Sequence, residues 1–148
     1  MLADLAATEA FGARIAAGLR PGDAIGLEGE LGAGKTTLAR AILRALGVVE
    51  TVPSPTFTLM QSYETRGFPV HHYDLYRVED AAELDELGLE DNLGNGAVLI
   101  EWPERAGNRL PGDMLHVALG IESGNERRAR LEGPARWRAL IEGARDGA

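Results

Sequence analysis

The residues Gly29-Glu30-Leu31-Gly32-Ala33-Gly34-Lys35-Thr36 satisfy the spacing G-x-x-x-x-G-K-[ST] in full. Each type has a physical task there. Glycines let the backbone wrap close to oxygen atoms, because no Cβ stands in the way. Successive N–H groups make an anion nest. A helix beginning at the end of the loop adds free amides and the positive end of its dipole. The Lys35 ammonium can bridge phosphates, the Thr36 hydroxyl can ligate a divalent cation, and Thr37 can donate to an inner phosphate. Lys35 is also the sole lysine: the other 14 of the 15 basic residues are arginine. A chain that writes positive charge as Arg everywhere else keeps one compact ammonium at the position whose chemistry requires it. A glycine-rich turn capping a helix is the plain alternative, and the lone lysine weighs against it.

A phosphate loop names a ligand and leaves the reaction open. A Mg²⁺ ion held there needs a second anchor, normally an acid at the end of a buried strand. Two acids qualify. Glu101 follows the apolar run Ala97–Ile100, and Asp74 ends the stretch containing Val70, His72 and Tyr73. Either could instead be a solvated acid at a strand end. Ser54-Pro55-Thr56 is a stiffened, hydroxyl-bearing loop that could sense a terminal phosphate through Thr56, or be an ordinary turn. His71 and His72 are adjacent on a strand and point to opposite faces, so they cannot converge on one ion. Both are expected to be structural. Trp102-Pro103 reads equally as a binding platform or as a cap on the sheet. Arg127, Arg128 and Arg130 form a small basic island whose default is a solvated face.

The elements that must position these residues follow from periodicity and punctuation. Thr8-Glu9 reads as a helix start, with Phe11, Ile15 and Leu19 on one stripe and Pro21-Gly22 as the stop. Residues 23–28 form a short apolar strand and 36–46 a helix closed by Gly47. Strands are expected over 57–63 and 68–73 around a turn at 65–67, and a helix over 79–87. The continuous run Ala97–Ile100 suits a strand covered on both faces, as in a parallel sheet. Leu115, Val117, Leu119 and Ile121 alternate as in a half-buried strand. Ser123-Gly124-Asn125 turns the chain back through Ala129–Leu131, and Pro134 opens a last helix through Trp137, Leu140 and Ile141. An early strand–loop–helix followed by mixed strands predicts an α/β sandwich with a partly parallel sheet.

The 148 residues suit one domain, residues 1–148, with a real core. No cysteine is present, which excludes disulfides, thiolate catalysis and cysteine-bound zinc. No apolar run approaches 18 residues and no basic, apolar leader opens the chain, so a cytoplasmic protein away from membranes is expected. The formal charge of −8 argues against a chain that grips nucleic acid unaided.

Taken together, GELGAGKTT, SPTFTL, HHYDLYR followed by ELDELGL, and LIEWPER resemble the TsaE (formerly YjeE) family over nearly the whole chain. The resemblance implies a P-loop NTPase-like three-layer α/β sandwich, its central sheet partly parallel with antiparallel additions. It implies ATP or ADP with Mg²⁺ as ligands and a weak Mg²⁺-dependent ATPase stimulated by partner proteins. Those partners would be TsaD and TsaB, with tRNA reached only through the complex. ATP hydrolysis would reset that complex between rounds of threonylcarbamoyladenosine formation beside the anticodon. Alone, the chain would be monomeric or weakly self-associating. Position by position, Gly29, Gly32, Ala33, Gly34, Lys35, Thr36 and Thr37 would hold phosphates. Thr36 and Glu101 would serve the metal, and Asp74, Lys35, Glu101 and Thr56 the hydrolysis. Trp102 would help shape the site or the partner surface, and Thr8 and Arg127 would lie near the adenine. Tyr73 stands where Phe is more usual before the Asp. Two rival readings share the loop. A small-molecule kinase would need a basic lid, yet residues 79–91 are acidic. A nucleotide-gated adaptor would need binding without turnover.

Overall fold

The computed structural model describes residues 2–30, 32–49, 60–80, 82–106, 110–122 and 126–145, with side chains to residue 142. Six strands form one sheet in the order β2-β3-β4-β1-β5-β6. They are β1 (Ala24–Glu28), β2 (Met60–Tyr63), β3 (Val70–Asp74), β4 (Ala97–Glu101), β5 (Leu115–Ile121) and β6 (Arg127–Glu132). The inner four, β3, β4, β1 and β5, run parallel. The outer two, β2 and β6, are antiparallel to their neighbours. The expected mixture is therefore divided by position: parallel strands in the middle and antiparallel strands at the edges.

The run Ala97–Ile100 explains the middle. All five residues of β4 are buried, because helices cover both faces. On one face lie α1 (Leu5–Gly18), α2 (Lys35–Ala45) and the C-terminal α5 (Arg138–Arg145), over a core that includes Ile15, Leu27, Leu38, Ile42 and Leu99. On the other face, α3 (Glu83–Glu86) and α4 (Leu89–Asn95) cover Tyr73, Val98 and Ile100. Helices α1 and α2 cross closely. A Cβ built on Gly12 would lie 2.6 Å from that of Ala41, so the crossing depends on that glycine. No helix among the described residues is long and apolar enough to cross a membrane.

Three local expectations need correction. The cap of α1 is Asp4, whose side chain accepts from the Ala7 amide at 2.9 Å. Thr8 lies inside the helix and donates from its hydroxyl to the Asp4 carbonyl at 3.3 Å. The first turn is masked in the sequence because Leu5 is exposed and breaks the apolar stripe. The helix expected over 79–87 shortens to α3, and a second short helix, α4, follows it unforeseen. Gly88, at φ 68°, separates them in the left-handed conformation. Pro134 precedes a 3-10 turn at Ala135–Trp137, and only then does α5 begin. Thr56 with its Ser54-Pro55 loop, residues 57–59 of the first hairpin strand, and the turn 123–125 lie outside the described residues.

Candidate functional site

The site gathers at the carboxyl ends of β1, β4 and β3, the crevice where open α/β sheets bind ligands. Strand β1 delivers the chain into the glycine-rich loop, and α2 carries it away. Gly29, Gly32 and Gly34 have φ of 144°, 84° and 102°, a region costly for residues with a side chain. At Gly29 a Cβ would also sit 2.5 Å from the Leu119 carbonyl oxygen. Helix α2 starts with no side-chain cap, and a helix N-terminus of this kind suits an anion.

Lys35 opens α2 and is 5% exposed. Its ammonium donates to the Gly29 carbonyl at 2.6 Å and the Glu30 carbonyl at 2.9 Å. It also lies 4.3 Å from the centre of the Trp102 ring. Burial pulls its pKa below the ordinary 10.5, and the nearby charges of Glu101, Asp74, Glu104 and Glu30 oppose that shift.

Glu101 ends β4 and is 2% exposed. The Thr36 hydroxyl lies within hydrogen-bond reach of both carboxylate oxygens, at 2.8 and 3.0 Å. The loop-bearing helix and the neighbouring strand are thus joined through the two side chains proposed for the metal. A hydroxyl beside one carboxylate suits Mg²⁺, which keeps waters and substrate phosphates as its remaining ligands. Among the described residues no group of three acids or histidines offers an all-protein metal cage. Asp74 is the register partner of Glu101 on β3 and is buried beside it; its Oδ1 accepts from the Tyr76 amide at 3.0 Å.

The loop separates two clefts that share Gly34 and Thr37. One, of about 340 Å³, is lined by Lys35, Thr36, Asp74, Glu101, Trp102 and, unforeseen from the sequence, Tyr76 and Arg77. The other, of about 310 Å³, is lined by Leu2, Thr8, Ala33, Leu119 and Arg127. Thr8 and Arg127 are therefore brought together, on the far side of the loop from the acids. Arg127 donates to the Gly32 carbonyl at 3.3 Å, and its backbone pairs in both directions with Leu2. Its neighbour Arg128 turns to Glu122 at 2.8 Å instead, as strand alternation requires.

Trp102 has φ 62°, the one non-glycine residue among those described with a positive φ. That turn lays its indole under the Lys35 ammonium, with Tyr76 packed beside it at 4.9 Å between ring centres. The two histidines diverge as expected, but their partners differ in kind. His71 is held by Ser62 at 2.7 Å and Asn95 at 2.9 Å, away from the site. His72 contacts Glu101 at 2.7 Å. The contact of His72 goes beyond the structural role expected for both histidines. Spacing two residues before Asp74 places His72 on that residue's strand face, and the parallel register of β3 with β4 brings Glu101 to the same face.

A glycine-rich loop between a central parallel strand and a helix, with an acid on the adjacent strand, defines a P-loop fold. Residues 2–130 match the family model described as Threonylcarbamoyl adenosine biosynthesis protein TsaE. The tRNA threonylcarbamoyladenosine biosynthesis protein TsaE of Bacillus subtilis (strain 168) is 39% identical over 121 residues, which are 81% of this chain and 75% of that one. The protein of the same name from Rickettsia typhi is 40% identical over 121 residues, covering 81% and 84%. The crystal structure of Bacillus subtilis YdiB matches with a TM-score of 0.78 at 30% identity, covering 98% of this chain and 92% of that one. The chain belongs to the TsaE family.

Proposed function

We propose that this chain is an ATP-binding and ATP-hydrolysing subunit serving threonylcarbamoyladenosine modification of tRNA beside the anticodon. It would act with TsaD and TsaB to reset their complex between turnovers, in the cytoplasm, reaching tRNA only through them. The relatives' names supply the pathway. The observation supporting the chemistry is the contact of Thr36 with Glu101, set beside the buried Lys35.

In this reading the loop amides and the Lys35 ammonium neutralise the outer phosphates. Their present acceptors, the Gly29 and Glu30 carbonyls, would exchange with phosphate oxygens of greater charge. Thr36 and Glu101 would hold Mg²⁺, which when bound offsets the negative charge on the outer phosphate oxygens. Asp74 would orient the attacking water, with Thr56 assisting. Thr37 would donate to the inner phosphate, and the cleft lined by Thr8 and Arg127 would receive the nucleoside. Hydrolysis by the chain alone would be slow, because a small P-loop protein reaches full speed when a partner completes the site.

The test is phosphate release from ATP by the purified chain, alone and with TsaB and TsaD. A low basal rate that rises on adding both partners is expected; equal rates would defeat the coupling. In the same assay Glu101→Ala should keep most ADP binding and lose Mg²⁺-dependent turnover. Normal hydrolysis by that variant would move the metal role to another acid.

A further inference from the structure

We infer that His72 is a positioning residue: its imidazole fixes the orientation in which the Glu101 carboxylate is presented to Thr36 and the metal. The inference rests on the nucleotide-site reading above and adds a residue to it.

The placement begins with register. On the parallel pair β3–β4, His72 lies opposite Leu99 and Asp74 opposite Glu101. Alternation then sends His72, Asp74 and Glu101 to the same face of the sheet, the face that α2 covers. His72 is 0% exposed and Glu101 2%. Its Nε2 stands 2.7 Å from Oε2 of Glu101. A carboxylate only accepts, so Nε2 is the nitrogen that carries the proton. On its other side the same carboxylate meets Thr36 through both oxygens. Among the described residues, Glu101 is thus gripped from behind by an imidazole and from the front by the P-loop hydroxyl.

The composition of the position points the same way. A fully buried strand residue between apolar neighbours such as Val70 and Leu99 would pack well as valine or leucine. An imidazole there carries a desolvation cost that its hydrogen bond must offset. The offset is one-sided, since Nδ1 of His72 is buried without a hydrogen-bond partner among the described residues. The ring is held at a single end, and that end is on Glu101. Without it, the carboxylate could rotate or swing toward Lys35, whose charge it already feels. Hydrogen bonds of this kind around metal ligands typically change metal affinity about 10–100-fold when removed.

The experiment measures ADP affinity by calorimetry across a Mg²⁺ series and in EDTA. His72→Asn keeps a polar amide but falls short of Glu101. It should need about tenfold more Mg²⁺ for half-effect, with ADP affinity in EDTA within about twofold of the parent. His72→Gln, whose amide nitrogen reaches the place of Nε2, should restore the Mg²⁺ response to within about threefold. Melting curves screen both for folding. An unchanged Mg²⁺ response in His72→Asn, or equal losses with Mg²⁺ and in EDTA, would overturn the positioning role. A parent protein that binds ADP but ignores Mg²⁺ would overturn this inference alone; one that binds no ADP under any condition would overturn the nucleotide-site reading as well.

Discussion

Lys35 combines two demands that oppose each other. In the proposed site its ammonium would act more strongly on phosphate once desolvated, and desolvation favours its neutral form. Below its folded-state pKa the buried charge subtracts from stability, and that cost fades as pH rises from the lowered value toward 10.5. Phosphates would reverse the shift. ADP binding should therefore take up protons at alkaline pH, and affinity should fall as pH rises through the free protein's value. Calorimetry in buffers of different ionisation enthalpy measures this; binding without proton uptake would remove Lys35 from the phosphates. Lys35→Ala should weaken binding about a hundredfold, which corresponds to the loss of about 3 kcal/mol of charge-assisted contacts. At this scale the glycine-rich loop was legible because its geometry is local. His72, Tyr76 and Arg77 were not assigned to the site, because their place in it depends on strand register and on a turn after β3.

Among the elements, the close approach of α1 to α2 sets where the loop's helix points. Gly12→Ala would ordinarily strengthen a helix by about 0.5–1 kcal/mol. Here the added methyl would meet Ala41 at 2.6 Å, with the Ala41 and Ile42 backbone at 3.1 Å. Overpacking of this kind costs about 1–3 kcal/mol. We expect a net loss, seen as a melting temperature lower by about 2–8 °C. A raised melting temperature would mean that the crossing is looser than the structure shows. Strand β4 was readable from its unbroken apolar run, and β5 from its alternation. Helix α4 was not, because Gly88, Gly94 and Asn95 favour turns, and the packing of Leu89 and Leu93 against the sheet decides it. The cap at Asp4 was obscured for a related reason: Thr8 has equal capping chemistry, and an exposed Leu5 hid the true first turn.

For the whole molecule, charge is the governing quantity. A net −8 opposes phosphate backbones over most of the surface. Arg128 is paired with Glu122, Arg127 turns toward the loop, and Arg130 is exposed on the same strand. Mobility-shift titration at physiological salt should find no tight tRNA complex with this chain alone. Tight binding would mean that tRNA is gripped directly and that the partners are not its sole route to the complex.

The left-handed backbone of Trp102 has an optical consequence. The chain has two tryptophans. One stacks beneath Lys35; the other, Trp137, is buried against Gly18 near Arg136 and away from the crevice. When the ammonium leaves its indole for a nucleotide, the emission of the first should change and that of the second should stay constant. Titrating ADP into unlabelled protein would then give a saturable fluorescence signal, one that Trp102→Phe abolishes and Trp137→Phe preserves. The fold supplies its own gauge of an occupied site, with no dye attached.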